Sequence, residues 1–250
     1  MKNLLILMLV AASAQAQLKP VSYSHGTQKL NGFAISPAKQ KAAGVLVLPA
    51  WRGIDAHSKA SAEKLAQMGY HAFVADIYGE GNIPGNSKEA GEKSGQFKAD
   101  HELYQARIRA ALDQLIAQGA DPGRIAVIGY CFGGTGALEA ARANMPVRGV
   151  VAFHGGLGRD AKRPIVTIQP KVLVCHGADD FFVPEAEIDA FQKEMKTADA
   201  DWQMIYYADA VHAFTEPSAG NDKSKGTAYN EKAAKRSWEH MKLFFEEILK

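Results

Sequence analysis

The sequence predicts an α/β fold, a mostly parallel central sheet with helices on both faces, and three observations carry that prediction. Short, wholly apolar runs recur along the chain, as in VLVL at 45–48 and VVAF at 150–153, and such strands must be covered on both sides. Amphipathic stretches of helical length alternate with these runs, the pattern of strand–helix–strand units. The 250 residues are 47% hydrophobic, which suits one compact domain with a large core.

Residues 1–16 hold one lysine, an apolar run over 4–12, and Ala14 and Ala16 of an A-x-A cleavage site, the pattern of a secretory signal peptide. The run is far short of the ~20 residues that span a bilayer. An exported protein, periplasmic or secreted and without a membrane anchor, is therefore expected, with residues 17–250 as a single domain. Residues 21–35 read as an antiparallel hairpin, 45–48 as a buried strand, 57–68 as a helix and 71–77 as the next strand. The polar, glycine-rich stretch 79–100 reads as irregular, either an ordinary loop or a flap over a site. Leu103, Ala106, Ala110 and Leu115 line a helix ending near Gly119. Strands follow at 124–130, 149–154, 171–176 and 202–207, with helices at 133–143 and 184–195 between them. Trp238, Met241, Phe245 and Ile248 then mark the buried face of a C-terminal helix.

The net charge is only +2, and no basic stripe is interleaved with aromatics, so nucleic acid is not an expected partner. No H-E-x-x-H or paired His/Cys spacing points to a metal, and the G-x-G-x-x-G and Walker patterns are absent, so no cofactor is expected. Monomer and homodimer both stay open.

The informative segment is Gly129-Tyr130-Cys131-Phe132-Gly133-Gly134, between a strong strand and a helix. That is where a nucleophile elbow belongs: the turn is tight, its neighbours must be small, and Gly129 and Gly133 supply that. The helix that follows directs its N-terminus at the sulfur, which favours thiolate over thiol. A thiol nucleophile needs a base, and the base needs an orienting acid. The 171–176 strand runs into Gly177-Ala178-Asp179-Asp180, two candidate acids, and the 202–207 strand is followed by His212. Nucleophile, acid and histidine thus come in order at successive strand ends. His25, His57, His71, His101 and His240 fall at element edges and read as surface residues. His154 and His176, at the ends of central strands, read as structural. The only cysteines are Cys131 and Cys175, so an oxidised pair is a competing reading for an exported protein.

These residues resemble the dienelactone hydrolase family. The matching blocks are NGFAISPA, YHAFVADIYG, DPGRIAVIGYCFGG, VVAFHGGL, HGADDFFVP, AVHAFTEP, GTAYN and RSW. The resemblance implies a single α/β-hydrolase domain and an esterase or lactone hydrolase with a Cys-His-Asp triad. Carried over by position, Cys131 is the nucleophile, His212 the base and Asp180, just before the F-V-P, the acid. The backbone N–H groups of Phe132 and Trp51 would form the oxyanion hole.

Three positions depart from the family. A glutamate that commonly contacts the resting thiol is matched by Ala50, which predicts that Cys131 pairs directly with His212. Arginines that hold the carboxylate of the anionic dienelactone are matched by Glu80 and Glu216, which predicts neutral or cationic esters or lactones as substrates. Acyl transfer to another acceptor and a non-catalytic binding role are the alternatives to hydrolysis.

Overall fold

The computed structural model describes residues 17–37 and 41–250; the proposed signal peptide lies outside the described residues. Eight strands form one sheet in the order β1-β2-β4-β3-β5-β6-β7-β8. β1 (Lys19–His25) and β2 (Gln28–Ile35) make the expected antiparallel hairpin, and β2 is antiparallel to β4 (His71–Val74). All other pairs, through β3 (Gly44–Leu48), β5 (Ile125–Tyr130), β6 (Gly149–Phe153), β7 (Lys171–Gly177) and β8 (Trp202–Tyr207), are parallel.

Helices cover both faces, as the unbroken apolar strands require. α1 (Ala56–Gln67) and α6 (Glu231–Ile248) bury Leu65, Met241 and Phe245 against one face. The other face receives α2 (Ser87–Ala99), α3 (His101–Ala117), α4 (Phe132–Arg142) and α5 (Glu185–Thr197), with Phe97, Tyr104, Ile108, Leu138 and Phe191 in its core.

Two expectations are corrected. Most of the stretch read as irregular, 79–100, is α2. Asn86 caps it by accepting the Glu89 N–H at 3.0 Å, and Ala90, Ser94 and Phe97 bury one side. Gly91 and Gly95, poor helix formers, hid that periodicity. The strand read as 71–77 ends its pairing at Val74 because Asp76 turns into the protein. Its carboxylate accepts the Asn31 and Gly79 N–H groups at 2.9 and 2.8 Å, and Tyr23 Oη bonds its backbone.

α4 lies close to the sheet along small residues and ends on a buried ion network. Arg142 pairs with Glu194 at 2.8 Å and Glu139 at 3.0 Å, and Arg163 adds a bond to Glu139 at 2.8 Å. Arg142 also donates to the Leu157 and Gly158 carbonyls, so α4, α5 and the loop after β6 are tied together.

Candidate active site

The parallel strands all point their C-terminal ends at one rim, and the loops leaving β3, β5, β7 and β8 meet there. Cys131 sits in the turn from β5 to α4 with φ 53° and ψ −114°, a conformation that costs a non-glycine residue of order 1–3 kcal/mol. Its surroundings hold it there. The Cys131 N–H donates to the Phe153 carbonyl at 3.0 Å, and its own carbonyl accepts from Thr135 at 3.2 Å. Neighbouring backbone closes in so tightly that a Cβ on Gly129 would collide with the Gly133 carbonyl, and one on Gly133 with the Leu48 carbonyl.

The Phe132 peptide is held by Tyr104, whose ring stacks at 4.6 Å and whose hydroxyl donates to the Phe132 carbonyl at 2.8 Å. Tyr78 also stacks on the Phe132 ring, at 5.7 Å, and donates to the Trp51 carbonyl at 2.6 Å. The two expected oxyanion donors therefore belong to peptide segments braced by one aromatic cluster. Sequence reasoning missed Tyr78 and Tyr104, whose spacing alone reads as ordinary core.

Asp180 and His212 meet because the β7–β8 pairing continues past the strands. Ala178 N–H donates to Tyr207 at 2.9 Å, and Asp179 N–H to Ala210 at 3.0 Å. Asp180 is buried, with Oδ2 accepting from His212 Nδ1 at 2.8 Å, whereas Asp179 faces solvent. A third segment backs the histidine: Ala228 N–H donates to the His212 carbonyl at 3.1 Å, and Asn230 N–H to Phe214 at 3.0 Å.

With Nδ1 on Asp180, the Nε2 edge of the His212 ring is left for another partner, and Cys131 lies close enough to influence it. Burial opposes both charges, yet the partners win. Asp180 and Cys131 raise the His212 pKa to about 10. His212 and the Phe132 amide draw the Cys131 thiol below its ordinary value against its burial. Cys175 is different in kind. Buried in β7, its thiol is pushed up to about 12, and both cysteines are free, so the oxidised-pair reading is set aside.

The other histidines divide. His71 is buried against Ser36 at 3.1 Å rather than at the surface. His57, also read as a surface residue, is half-buried and reaches Thr215 Oγ1 at 3.4 Å. The same hydroxyl bonds His154 Nε2 at 2.8 Å, and the His154 ring stands edge-on to His212 at 5.3 Å. Burial, then the charges of His212 and His57, hold His154 well below the usual histidine range, so it is neutral. His176 is buried against Tyr206.

The acids matched to the family's arginines part company. Glu80 turns to the hairpin, with Asn31 at 3.1 Å and Lys29 at 3.8 Å. Burial lowers the His57 pKa, and Glu216, which stays by the site, offsets part of that without reversing it. Lys98 on α2 sends an opposing charge toward Cys131. Among the described residues no group of three His, Cys, Asp or Glu side chains is placed to hold a metal, and no helix is long and apolar enough to cross a membrane.

The family model for dienelactone hydrolases matches residues 30–249. The chain belongs to the dienelactone hydrolase family. A dienelactone hydrolase-like promiscuous phosphotriesterase from metagenomic libraries is 35% identical, with a TM-score of 0.89 over 94% of this chain and 100% of its own. A dienelactone hydrolase from Anabaena variabilis, 20% identical, shares the fold with a TM-score of 0.66 over 94% of this chain and 100% of its own. A Salmonella typhimurium protein provisionally named a carboxymethylenebutenolidase is 25% identical over 80% of this chain and 76% of its own. The fold is the α/β-hydrolase fold, and this dienelactone hydrolase relative is a carboxylic ester or lactone hydrolase.

Proposed function

We propose that the protein hydrolyses neutral esters or lactones through a Cys131 thioester, with His212 as acid and base and Asp180 as its orienting partner. The observation that carries this reading is the buried Asp180 hydrogen-bonded to His212 at 2.8 Å, with a cysteine on a strained, glycine-walled turn close enough to the imidazole for each to shift the other's protonation. Ala50 removes the glutamate that would compete for the thiol, which supports a resting thiolate–imidazolium pair.

The thiolate attacks the carbonyl carbon, forming the C–S bond, while the carbonyl electrons move onto an oxyanion facing the Trp51 and Phe132 amides. Collapse expels the alkoxide, which takes the His212 proton. Acylation also removes the thiolate charge that raised the histidine, so neutral His212 can accept a proton from water. The resulting hydroxide adds to the thioester, the thiolate leaves, and the ion pair is restored with release of the carboxylic acid.

Neutral substrates fit because Glu216 and Lys98 carry opposite charges near the site and the positions matched to the family's carboxylate-clamping arginines are Glu80 and Glu216. A panel of neutral and anionic esters and lactones, with Cys131→Ala and Cys131→Ser, tests this. Expected are turnover of neutral members, a thioester visible by mass spectrometry, and loss of about 10,000-fold in kcat/KM for Cys131→Ala. Full activity of that variant, or a preference for the anionic dienelactone, overturns the reading. Similarity to the promiscuous phosphotriesterase adds neutral phosphotriesters to the panel as a second substrate class.

For residues 1–16 we propose removal on export. N-terminal sequencing of the protein from periplasmic or secreted fractions is expected to begin at Gln17; an intact Met1 in the cytoplasm refutes it.

A further inference from the structure

We propose that Phe182 forms the leaving-group subsite and that the alcohol it receives is apolar and aromatic, a proposal that rests on the Cys131–His212 reading above. Phe181 and Phe182 are 63% and 53% exposed, side by side with ring centroids 4.8 Å apart. Adjacent phenyl rings left in water beside a catalytic loop are unfavourable in the free protein and mark a surface that meets apolar ligand.

Phe182 is positioned with unusual economy. Asp180 accepts His212 Nδ1 on Oδ2 at 2.8 Å and the Phe182 backbone N–H on Oδ1 at 3.0 Å. One buried carboxylate thus fixes both the acid–base ring and the phenylalanine. The Phe182 ring stands edge-on to His212, with centroids 5.5 Å apart and planes at 78°. Gly226 backs the pair: a Cβ there would come within 2.9 Å of Phe182 Cε2 and 3.0 Å of Phe181 Cε1.

The reaction itself says which half of the substrate lies there. The departing oxygen must reach His212 within about 3 Å to take its proton. Its first carbons then lie beside the His212 ring, and Phe182, set edge-on to that ring and 53% exposed, is an apolar surface within their reach. The acyl group hangs instead from the Cys131 sulfur. An aromatic alcohol gains ring–ring contact in this place, and a short polar alcohol does not.

The test compares benzyl acetate with 2-methoxyethyl acetate, which share an acyl group and release alcohols of similar acidity. The wild type is expected to favour the benzyl ester by about 10-fold in kcat/KM. Phe182→Ala brings that ratio close to 1, Phe182→Tyr retains it, and Phe181→Ala changes it less than Phe182→Ala does. Moving the ring to the acyl side, as ethyl phenylacetate against ethyl acetate, gives a ratio that Phe182→Ala does not alter. A wild-type ratio near 1, or equal losses on both acetates in Phe182→Ala, overturns the subsite while leaving the thioester chemistry standing. Failure of the underlying reading has another signature: Cys131→Ala would still turn over both acetates.

Discussion

The turn that carries Cys131 is built from neighbours in sequence, whereas the corner that carries Asp180 and His212 joins residues 32 positions apart and leans on a third segment. In the turn, two glycines and a strand-to-helix reversal leave the sulfur one place to go. In the corner, the geometry exists only once β7 and β8 have paired and the 226–230 segment has closed behind the histidine. Locally determined strain and remotely assembled hydrogen bonds fail in different ways, so mutations in the two regions separate folding from chemistry.

The largest effect is expected at the turn. Gly129→Val places a side chain against the Gly133 carbonyl and should cost about 4 kcal/mol or more, leaving little folded protein in urea titrations. A cooperative, near-wild-type transition would show the turn to be softer than its geometry implies. In the corner, Asp180→Asn can still accept the Phe182 N–H but presents a donor or a weaker acceptor to His212 Nδ1. It is expected to fold and to lose about 1,000-fold or more in kcat. Loss of folding instead would move the corner into the structural class.

Behind the turn, Glu194→Ala leaves the Arg142 guanidinium short of its best partner and should cost about 3 kcal/mol in unfolding free energy. Active-site titration of the folded fraction should show kcat little changed, since Arg142 lies at the far end of α4.

Acidity probes the contact between the two regions. His212 is raised, so its stabilisation is present below the ordinary histidine pKa and lost as pH rises through about 10. The melting-temperature gap between wild type and His212→Gln should therefore narrow between pH 7 and pH 10.5. Cys131 is lowered by His212 and the Phe132 amide against its burial, so alkylation by iodoacetamide should be faster at neutral pH than for an ordinary thiol, with its pH midpoint below the ordinary thiol value. A rate that climbs through the ordinary thiol range would contradict the ion pair.

The smallest effect is expected at Thr215→Val, which leaves His154 Nε2 without its partner. About 1 kcal/mol of stability and less than threefold in kcat should be lost, measured by denaturation and ester assay.

Cys131 could be read from the sequence because glycines, strand and helix signals lie within a few residues of it. His212 was legible as the histidine following the final strand, and Asp180 needed the family resemblance to separate it from Asp179. The α2 helix was not legible, because its glycines mask the period and its Phe97 packs on the rings of Tyr78, Tyr104 and Phe132 from other segments. Nor was the Thr215 hydroxyl between His57 and His154, since its partners lie 158 and 61 residues away.

By itself the sequence determined the strand–helix alternation, the glycine-walled turn and the order of nucleophile, acid and histidine, because each depends on local pattern or on chain order. Only the tertiary structure decided which aspartate is buried, which acid stays beside the site, and which aromatics brace it. Those are outcomes of packing between distant segments, where burial and hydrogen-bond partners, rather than residue type, set charge and position.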